Sequence, residues 1–557
     1  MKRIISIIAG AAVLSCAVTT SGTPSAASKK DELARGMHTF NSIVKELQSN
    51  YVDTLPGKSL MQNTIYALLD QIDPYTEYYP ADDQDEILSI SSGQYAGIGS
   101  YILKRGKNVI IQQPQWNSPA RNAGLRPGDV ILKVNGDTVD EKMAVGDVSK
   151  KLRGQAGTSV TIDVRRPYVE DSLLTFNIVR SNIKVEPLPY YGMMDNGVGY
   201  IKLTTFNENS AREVKEALTS LLAKPGLKGI VLDLRDNGGG LLESAVQIVS
   251  NFVPKGTEVV KTRGRDSKHV KTYKTTSKPL DANIPLAILV NGGTASAAEI
   301  VSGSLQDLDR AVIVGERSYG KGLVQNTRPL PYNDILKITT ARYYIPSGRL
   351  IQAIDYSHRN PDGSVARTPD SLTNEFRTAR GRIVRDGGGI TPDVTYKEKE
   401  GNRLLYNIMS DLWAFDFANR YAAKHDKIAP ADSFVVDEAL FEEFKGSIDP
   451  DKFKYDRQCE KGLDYLREAA KIEGYMNDSV AAQFDILAGM LKHDLNRDLD
   501  FNKDEIIKIL DTEITSRYYS DSDMIRRSIR DDKALDEAVA VLLDPEKYNK
   551  ILSPVKK

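Results

Sequence analysis

A unit of apolar strand, glycine turn and helix recurs in the middle of the chain and limits the fold more than any other feature. Residues 230–234 form an apolar run that precedes Asn237-Gly238-Gly239-Gly240 and a predicted helix at 241–252. Residues 286–290 precede a second turn and a helix predicted to begin at Ser296, and residues 312–315 repeat the theme. Strands that alternate with helices form layered α/β folds, in which helices cover a sheet. We therefore predict an α/β core.

The segments on either side of this core have different patterns of apolar residues. Short strand-like runs at 109–111, 130–134 and 160–164 are separated by glycine turns, which predicts a small β-domain. Apolar residues follow a helical period in residues 31–92, and the chain after residue 400 is again helical in pattern and strongly charged. The predicted parts are a leader and tether (1–28), an N-terminal helical region (29–92), a β-domain (93–183), the α/β core (184–398) and a C-terminal helical domain (399–557).

The charge balance excludes one class of partner. The 557 residues include 74 Lys and Arg and 75 Asp and Glu, so the formal net charge is -1. Proteins that bind nucleic acid usually carry a basic excess, which this chain lacks. We therefore expect no nucleic-acid partner.

The N-terminus has the pattern of an export signal. Lys2 and Arg3 precede an apolar stretch at 4–14, which is too short to span a bilayer as a permanent helix. Val13-Leu14-Ser15-Cys16 is also similar to a bacterial lipoprotein box, in which the cysteine is lipidated. A plain signal peptide is the other interpretation. The lipoprotein interpretation is favoured because the chain has only two cysteines and one of them, Cys16, lies at this position. Lipidation of Cys16 would leave Cys459 without a disulfide partner.

Ser296 is the first candidate for chemistry. It is predicted at the junction of a buried strand and a helix, where free backbone N–H groups and the helix dipole favour an alkoxide and an oxyanion. Alone, the position is more typical of a serine that only caps a helix. A base near Ser296 is therefore needed before it can be interpreted as a nucleophile.

Lysine is the best candidate for that base. None of the five histidines lies in a glycine-rich or motif-like setting. Lys321 lies in Gly320-Lys321-Gly322 shortly after an apolar strand, and a lysine buried among apolar groups has a lowered pKa that makes the neutral amine available. A solvated turn lysine is the alternative.

The turn at 233–240 is a candidate oxyanion site. A strand that ends in glycines before a helix leaves backbone N–H groups free to point at a negative charge. A tight structural turn or a phosphate cradle is the alternative, but the turn lacks the Gly-Lys-Ser/Thr ending of a nucleotide P-loop.

Together and in this order, these motifs resemble the carboxyl-terminal processing peptidases, a serine peptidase family with a PDZ domain. The likeness covers about residues 40–395 and also includes residues 341–349 and 388–394. It implies a core of the Clp protease/crotonase-like type, an inserted PDZ domain, and one cleft that holds Ser296 as nucleophile and Lys321 as general base. Gln325 would orient the lysine, and the amides of Gly239, Gly240 and Ala297 would bind the oxyanion. No metal or cofactor is implied.

The β-domain carries its own part of this resemblance. Residues 95–99 are similar to a PDZ carboxylate loop, and Gly97, Ile98 and Gly99 would offer backbone amides to the C-terminus of a substrate. Arg153 matches a position that aligns the PDZ domain in relatives. A β-domain that only packs is the alternative. The implied substrates are proteins or peptides with accessible C-termini. The implied location is the periplasm, with a lipid anchor that attaches the protein to a membrane. An activating adaptor and a homodimer are further candidate partners.

Six residues of the tail match the ligand positions of a calcium-binding EF-hand loop. They are Asp494, Asn496, Asp498, Asp500, Asn502 and Glu505. Leu499 occupies the position where such a loop needs glycine, and apolar residues from Leu491 to Ile507, with Phe501 among them, continue a helical face. We therefore predict helix rather than a calcium site.

Two other functions compete with peptidase activity. The chain could be a PDZ scaffold or adaptor whose core is inactive, although all three candidate catalytic residues are present. A crotonase-like acyl-CoA enzyme would use a similar glycine turn, but the export signal and the PDZ-like block disfavour it.

Overall fold

A computed structural model describes residues 26–554, except for 84–86, 88–91, 170–171, 267, 269, 361 and 398–400. Cys16 and residues 1–25 of the predicted leader and tether therefore lie outside the described residues, whereas residues 26–28 begin α1. The chain divides into a first unit that ends at Gln71 and a second that begins at Ile72. The described part of the first unit contains helices α1 (Ala26–Asn50) and α2 (Gly57–Asp70). No helix among the described residues is both long and apolar enough to cross a membrane.

The second unit begins with a short strand, β1 (Glu77–Tyr79), and continues into a β-domain. The strands of this domain are β2 (Gln94–Gly97), β3 (Ser100–Arg105), β4 (Asn108–Pro114), β5 (Val130–Val134), β6 (Asp137–Thr138), β7 (Ser159–Arg166), β8 (Ser172–Val179) and β9 (Ser181–Lys184). Its helices are α3 (Pro119–Asn122) and α4 (Val145–Leu152). The sheet order is β3-β4-β5-β7-β8, so β3 lies at an edge, and β2 pairs separately with β9.

The α/β core follows the β-domain. Its elements are β10 (Tyr190–Met193), β11 (Val198–Lys202), α5 (Ser210–Leu222), β12 (Gly229–Asp233), α6 (Leu242–Val249), β13 (Glu258–Gly264), β14 (Val270–Lys274), β15 (Leu286–Val290), α7 (Ala297–Asp307), β16 (Val312–Gly315), β17 (Leu323–Pro329), β18 (Ile335–Tyr344), β19 (Ile354–Arg359), β20 (Val365–Arg367), β21 (Glu375–Arg377), β22 (Ile383–Arg385) and β23 (Val394–Thr395). The central sheet has the order β10-β11-β12-β15-β16-β23, and all its pairs except β10–β11 are parallel. A second sheet has the order β1-β18-β13-β14, with β17 also paired to β18.

Ten helices follow within the described residues. They are α8 (Arg403–Ser410), α9 (Trp413–Lys424), α10 (Glu438–Ser447), α11 (Gln458–Ile472), α12 (Asp478–Leu491), α13 (Leu495–Phe501), α14 (Lys503–Thr515), α15 (Asp521–Ser528), α16 (Lys533–Leu543) and α17 (Pro545–Ile551).

Both faces of the central sheet are buried. Ile230 and Leu232 of β12 face the cluster that includes α5, α6 and α7, whereas Val231 faces a second cluster that includes Leu535 and Leu542 of α16. Successive side chains of a strand point to opposite faces, so a strand covered on both sides needs a continuous apolar run. The end of the C-terminal helical region thus forms a layer of the core.

Two details differ from the sequence-based expectations. The region predicted to be helical up to residue 92 is interrupted by a strand: α2 ends at Asp70, and residues 77–79 form β1, which pairs with β18 and whose aromatic residues favour a strand. In the tail, the predicted apolar face is interrupted at Asn502. Leu499 and Ile506 are buried, but Phe501 is 85% exposed.

The acidic residues of the tail serve as helix caps and pairing groups. Asp494 caps α13 through the Arg497 N–H, Asp500 pairs with Lys445, and Asp498 lies 2.6 Å from His493 Nδ1. These three residues are thus engaged in capping and pairing, in a segment that forms helices α13 and α14 as predicted.

Candidate active site

Three loops meet at the carboxyl ends of neighbouring parallel strands. The glycine turn follows β12, the loop that carries Ser296 follows β15, and the loop that carries Lys321 follows β16. Ligand sites of open α/β sheets form at this edge, because the loops from adjacent strands converge there. The loops are also bonded to one another. The Thr294 hydroxyl donates to the Leu234 carbonyl at 2.8 Å, and the Tyr319 N–H donates to the Thr294 carbonyl at 3.0 Å.

Ser296 has an unusual backbone conformation. Its φ is 56° and its ψ is -117°, a region that costs a residue other than glycine about 1–3 kcal/mol. It precedes α7, yet its side chain forms no cap hydrogen bond, so the hydroxyl is not used as a helix cap. The Tyr343 hydroxyl donates to its carbonyl oxygen at 3.1 Å. The strain and the uncommitted hydroxyl favour a chemical role over the capping alternative.

Glu299 is the group that joins the two candidate catalytic residues. Its side chain is fully buried, and its Oε2 accepts the backbone N–H of Ser296 and that of Lys321, both at 2.9 Å. The backbone nitrogens of Ser296 and Lys321 therefore lie no farther apart than twice that distance. Oε1 accepts the Gly320 N–H at 2.7 Å and the Ser318 hydroxyl at 2.5 Å. Burial raises the pKa of Glu299 to about 7, although these four donors oppose the shift.

Lys321 has the properties of a lysine base. Burial, reinforced by the charge of Lys337, lowers its pKa to about 8, while Glu77, Asp73 and Glu299 oppose that shift. Its Nζ lies 4.1 Å from the centre of the Tyr75 ring and forms no ion pair with a described residue. It forms no hydrogen bond to Ser296 Oγ in this structure. In free enzymes such catalytic hydrogen bonds are often long and close only in the complex.

The glycine turn packs directly against the serine loop. A Cβ added to Gly239, whose φ is 97°, would lie 2.7 Å from Ser296 Cβ and 2.8 Å from Ala297 N. The Gly239 N–H already donates to Asn237 Oδ1 at 2.9 Å, so this predicted oxyanion donor is engaged. The amides of Gly240 and Ala297 have no acceptor among the described residues.

Asp233, at the end of β12, fixes the base of this turn. It is completely buried, and Arg235 donates to it while also pairing with Asp532 from the C-terminal helical region. Burial alone would raise the pKa of Asp233, but hydrogen bonds from Arg235 and the charges of Lys202 and Arg235 hold it below its ordinary value. A buried ion-pair network therefore ties the base of the turn to the C-terminal helical region.

Gln325 forms no hydrogen bond, among the described residues, with the lysine that it was expected to orient. Its Nε2 donates to Thr339 Oγ1 at 3.1 Å. A bulge between Val324 and Gln325 shifts the register of β17 and places Gln325 opposite Thr339. Tyr75 occupies the place beside the Lys321 ammonium instead.

The predicted carboxylate loop of the β-domain joins β2 to β3. The nearest neighbours of a Cβ added to Gly97 are the Tyr95 ring at 3.3 Å and Cγ of Arg153 at 3.7 Å, so Arg153 lies beside the loop. Arg153 also stacks over the Tyr95 ring at 5.2 Å. Ile98 is buried, and its carbonyl accepts the Ala120 N–H. Gly99 has a φ of 73° and packs against Ser118.

Sequence reasoning missed Glu299 and Tyr75. Glu299 lies three residues after Ser296 in an otherwise apolar helical stretch, which is the spacing of a carboxylate that accepts the N–H of a cap residue. The spacing of Ser296 and Glu299 in the sequence therefore already indicated this contact. Tyr75 comes from a turn far from Lys321 in sequence, and no local pattern predicts their contact.

Comparisons with known proteins agree with this architecture. A model of peptidase family S41 matches residues 197–365, a PDZ domain model matches residues 110–166, and a model described as the C-terminal helical domain of probable PDZ-proteases matches residues 404–542. The molecule is thus a PDZ-containing protein with a peptidase-type core.

Curated relatives define the family further. The chain is 33% identical over 357 residues to the carboxy-terminal-processing protease of Bartonella bacilliformis, which covers 64% of this chain and 81% of that protein. It is 35% identical over 317 residues to a probable CtpA-like serine protease of Staphylococcus aureus, spanning 57% of this chain and 62% of that protein. A solved photosystem II D1 C-terminal processing protease is 28% identical, with a TM-score of 0.37 over 65% of this chain and 88% of that one. The chain belongs to the carboxy-terminal-processing proteases of peptidase family S41.

Proposed function

We propose that the protein is a serine endopeptidase that uses Ser296 as nucleophile and Lys321 as general base. The observation that carries the proposal is the buried Glu299 carboxylate, which accepts the backbone N–H groups of both residues. A lysine with a pKa of about 8 and no ion pair with a described residue is available as a neutral amine near neutral pH.

The proposed reaction is acyl transfer in two steps. Neutral Lys321 accepts the Ser296 Oγ proton as the oxygen attacks a peptide carbonyl, and the oxyanion takes up hydrogen bonds from the Gly240 and Ala297 amides. The Lys321 ammonium then gives its proton to the leaving amine, which departs and leaves an acyl-enzyme. Water attacks the ester with Lys321 again as base, and Ser296 regains its proton. Movement of the Lys321 side chain from the Tyr75 ring toward Ser296 completes the dyad.

The β-domain is proposed to select substrates through their C-terminal tails. Gly97, Ile98 and Gly99 supply the carboxylate loop, and the adjoining edge strand β3 offers backbone groups that pair with an incoming peptide. Arg153 beside the loop supplies a positive charge for the tail carboxylate.

The site of action is proposed to be the periplasm, with lipidation of Cys16 as the membrane anchor. An activating adaptor and a homodimer complete the proposed set of partners. Metabolic labelling with a radioactive fatty acid tests the anchor, since Cys16→Ser would abolish labelling, and light scattering of the purified protein tests the dimer.

The main test compares the parent with Ser296→Ala on an unstructured protein substrate, followed on a gel. We expect cleavage by the parent and none by Ser296→Ala, while Ser371→Ala, an exposed serine on another loop, cleaves like the parent. A fluorophosphonate probe, which phosphonylates an activated serine with loss of fluoride, distinguishes the peptidase from an inactive PDZ scaffold, because a scaffold would leave Ser296 unlabelled. Undiminished cleavage by Ser296→Ala would refute the assignment.

A further inference from the structure

The Lys321 ammonium is in contact with an aromatic ring rather than with a carboxylate. Its Nζ lies 4.1 Å from the centre of the Tyr75 ring, and it forms neither an ion pair nor a side-chain hydrogen bond with a described residue. A cation over the face of an aromatic ring is attracted by the ring quadrupole, and the attraction is stronger where water is excluded. It acts on the charged ammonium and is lost when the amine becomes neutral.

The Tyr75 side chain is fixed to the loop that carries the lysine. Its hydroxyl lies 3.3 Å from that of Tyr319 and 3.2 Å from that of Tyr356. The rings of Tyr75 and Tyr356 also meet edge to face, with their centres 5.8 Å apart. Tyr319 precedes Lys321 by two residues, and its N–H donates to the loop of Ser296. The phenol is therefore held by the same loops that build the candidate site.

The backbone of Tyr75 is fixed as well. The Asp73 carboxylate accepts the N–H groups of Tyr75 and Thr76, both at 2.8 Å, and thus closes a turn. Thr76 Oγ1 in turn accepts the Thr339 N–H of β18 at 3.3 Å. Asp73 and Thr76 are both buried. The fold therefore sets the position of the ring, and the lysine side chain is the more mobile partner of the contact.

Four charged side chains influence the pKa of Lys321. They are Lys337 of β18, Glu77 of β1, Asp73 of the turn and Glu299 of α7. Glu77 and Lys337 pair with each other at 2.5 Å, while Asp73 and Glu299 accept backbone N–H groups. Burial raises the pKa values of Tyr75 and Tyr356, so these phenols keep their protons where the lysine titrates. The ring is thus the group that distinguishes the ammonium from the neutral amine by direct contact.

We infer that Tyr75 is a positioning residue for the base: its ring holds the Lys321 side chain while the amine is charged and releases it when the proton is lost, so that the neutral amine moves to Ser296. The inference rests on the proposed peptidase function. A carboxylate in the place of the ring would raise the pKa of the lysine further and keep it charged. An aromatic ring attracts the ammonium more weakly, which allows release near neutral pH.

The test measures the pKa of Lys321 directly, from the pH dependence of its acetylation by trace acetic anhydride, with mass spectrometry of the peptide that contains it. Tyr75→Leu keeps an apolar side chain beside the lysine but removes the ring, so this pKa should fall by about one pH unit, the size of a partly buried cation–π contact. Tyr75→Phe keeps the ring and should change the pKa by less than about 0.3 pH units. Tyr465→Leu, at an exposed position of α11, is the matched control and should leave it unchanged.

The pH profile of peptide cleavage is the second measurement. The midpoint of kcat/KM should move to lower pH in Tyr75→Leu by the same amount, whereas a loss of stability alone would lower kcat without moving the midpoint. Glu299, whose pKa is about 7, is present in every variant, so the comparison isolates the ring.

The two measurements separate this inference from the peptidase proposal. An unchanged pKa of Lys321 in Tyr75→Leu would overturn the inference. A raised pKa would overturn it too, because the ring would then act only by excluding water. Acetylation requires no turnover, so a parent that fails to cleave would refute the peptidase proposal and leave the role of the ring measurable. A lowered pKa with an unmoved kinetic midpoint would refute Lys321 as the base.

Discussion

The molecule contains two loops that are suited to present backbone amides to an oxygen anion, and they are built very differently. The glycine turn of the core is locked between Asn237, Ser296 and the buried Asp233–Arg235–Asp532 group. The predicted carboxylate loop of the PDZ domain lies at a sheet edge, and its Gly97 is bordered by the side chains of Tyr95 and Arg153. A charge that appears only during a reaction needs donors already in place, whereas a stable carboxylate can be met by a loop that adjusts.

Removal of the base should give the largest difference between catalysis in the core and peptide binding at the PDZ domain. We expect Lys321→Met to lower kcat by about 10³-fold, because general-base catalysis contributes a factor of that order. Binding of a C-terminal peptide to the PDZ domain should be unchanged, since Lys321 is not part of that loop. Peptide turnover and anisotropy measure the two effects, with Lys215→Met on the exposed surface of α5 as the control. More than a tenth of the parent's kcat in Lys321→Met would argue against the lysine as base.

A matched pair of glycine substitutions compares the stiffness of the two loops. Gly239→Ala should lower kcat by about 100-fold, since its Cβ would meet Ser296, the Ala295 carbonyl and Ala297 N within 2.8 Å and so distort the oxyanion site. Gly97→Ala should change kcat less than about threefold, because a Cβ there meets only side-chain atoms, the Tyr95 ring at 3.3 Å and Arg153 Cγ at 3.7 Å, which can shift without moving the core. Thermal unfolding of both variants separates misfolding from a local effect. Equal losses of kcat would contradict the difference in rigidity.

The pH dependence tests how Glu299 links the nucleophile and the base. In the parent, kcat/KM should rise with pH with a midpoint near 8 and reach a plateau at higher pH, because Lys321 must lose its proton to act. Glu299→Gln removes a negative charge that favours the lysine ammonium, so the midpoint should move to lower pH. An amide can replace only part of the acceptor set, and kcat on the plateau should fall about tenfold.

The control for this substitution is Glu216→Gln on the exposed surface of α5. It should leave both the plateau and the midpoint in place. A Glu299→Gln enzyme with the parent's midpoint would show that the carboxylate supports the fold without tuning the lysine.

The sequence predicted the strands and turns that bring the site together, because each is a local pattern. Residues 286–290 form β15, and the glycine turn and the serine loop follow their strands as expected. Contacts between distant segments could not be predicted in this way. The approach of Tyr75 to Lys321, the layer that α16 adds to the central sheet, and the bulge that turns Gln325 toward Thr339 all depend on tertiary packing. The apolar residues of α16 predict a helix, but not its partner, because the sheet that Leu535 and Leu542 cover is built from distant segments.

The smallest predicted effect belongs to the PDZ loop and concerns binding alone. Arg153→Gln should weaken binding of a peptide with a free C-terminus by about threefold, which is the size of one exposed ionic or stacking contact. The same peptide with an amidated end should bind both proteins equally, because it has no carboxylate for the arginine to attract. Kcat should stay at the parent's value, since Arg153 lies beside Gly97 and Tyr95 rather than beside Ser296. If Arg153→Gln instead lowered kcat and left binding intact, the residue would act on the catalytic cleft, and the separation between a rigid catalytic loop and an adaptable binding loop would not hold.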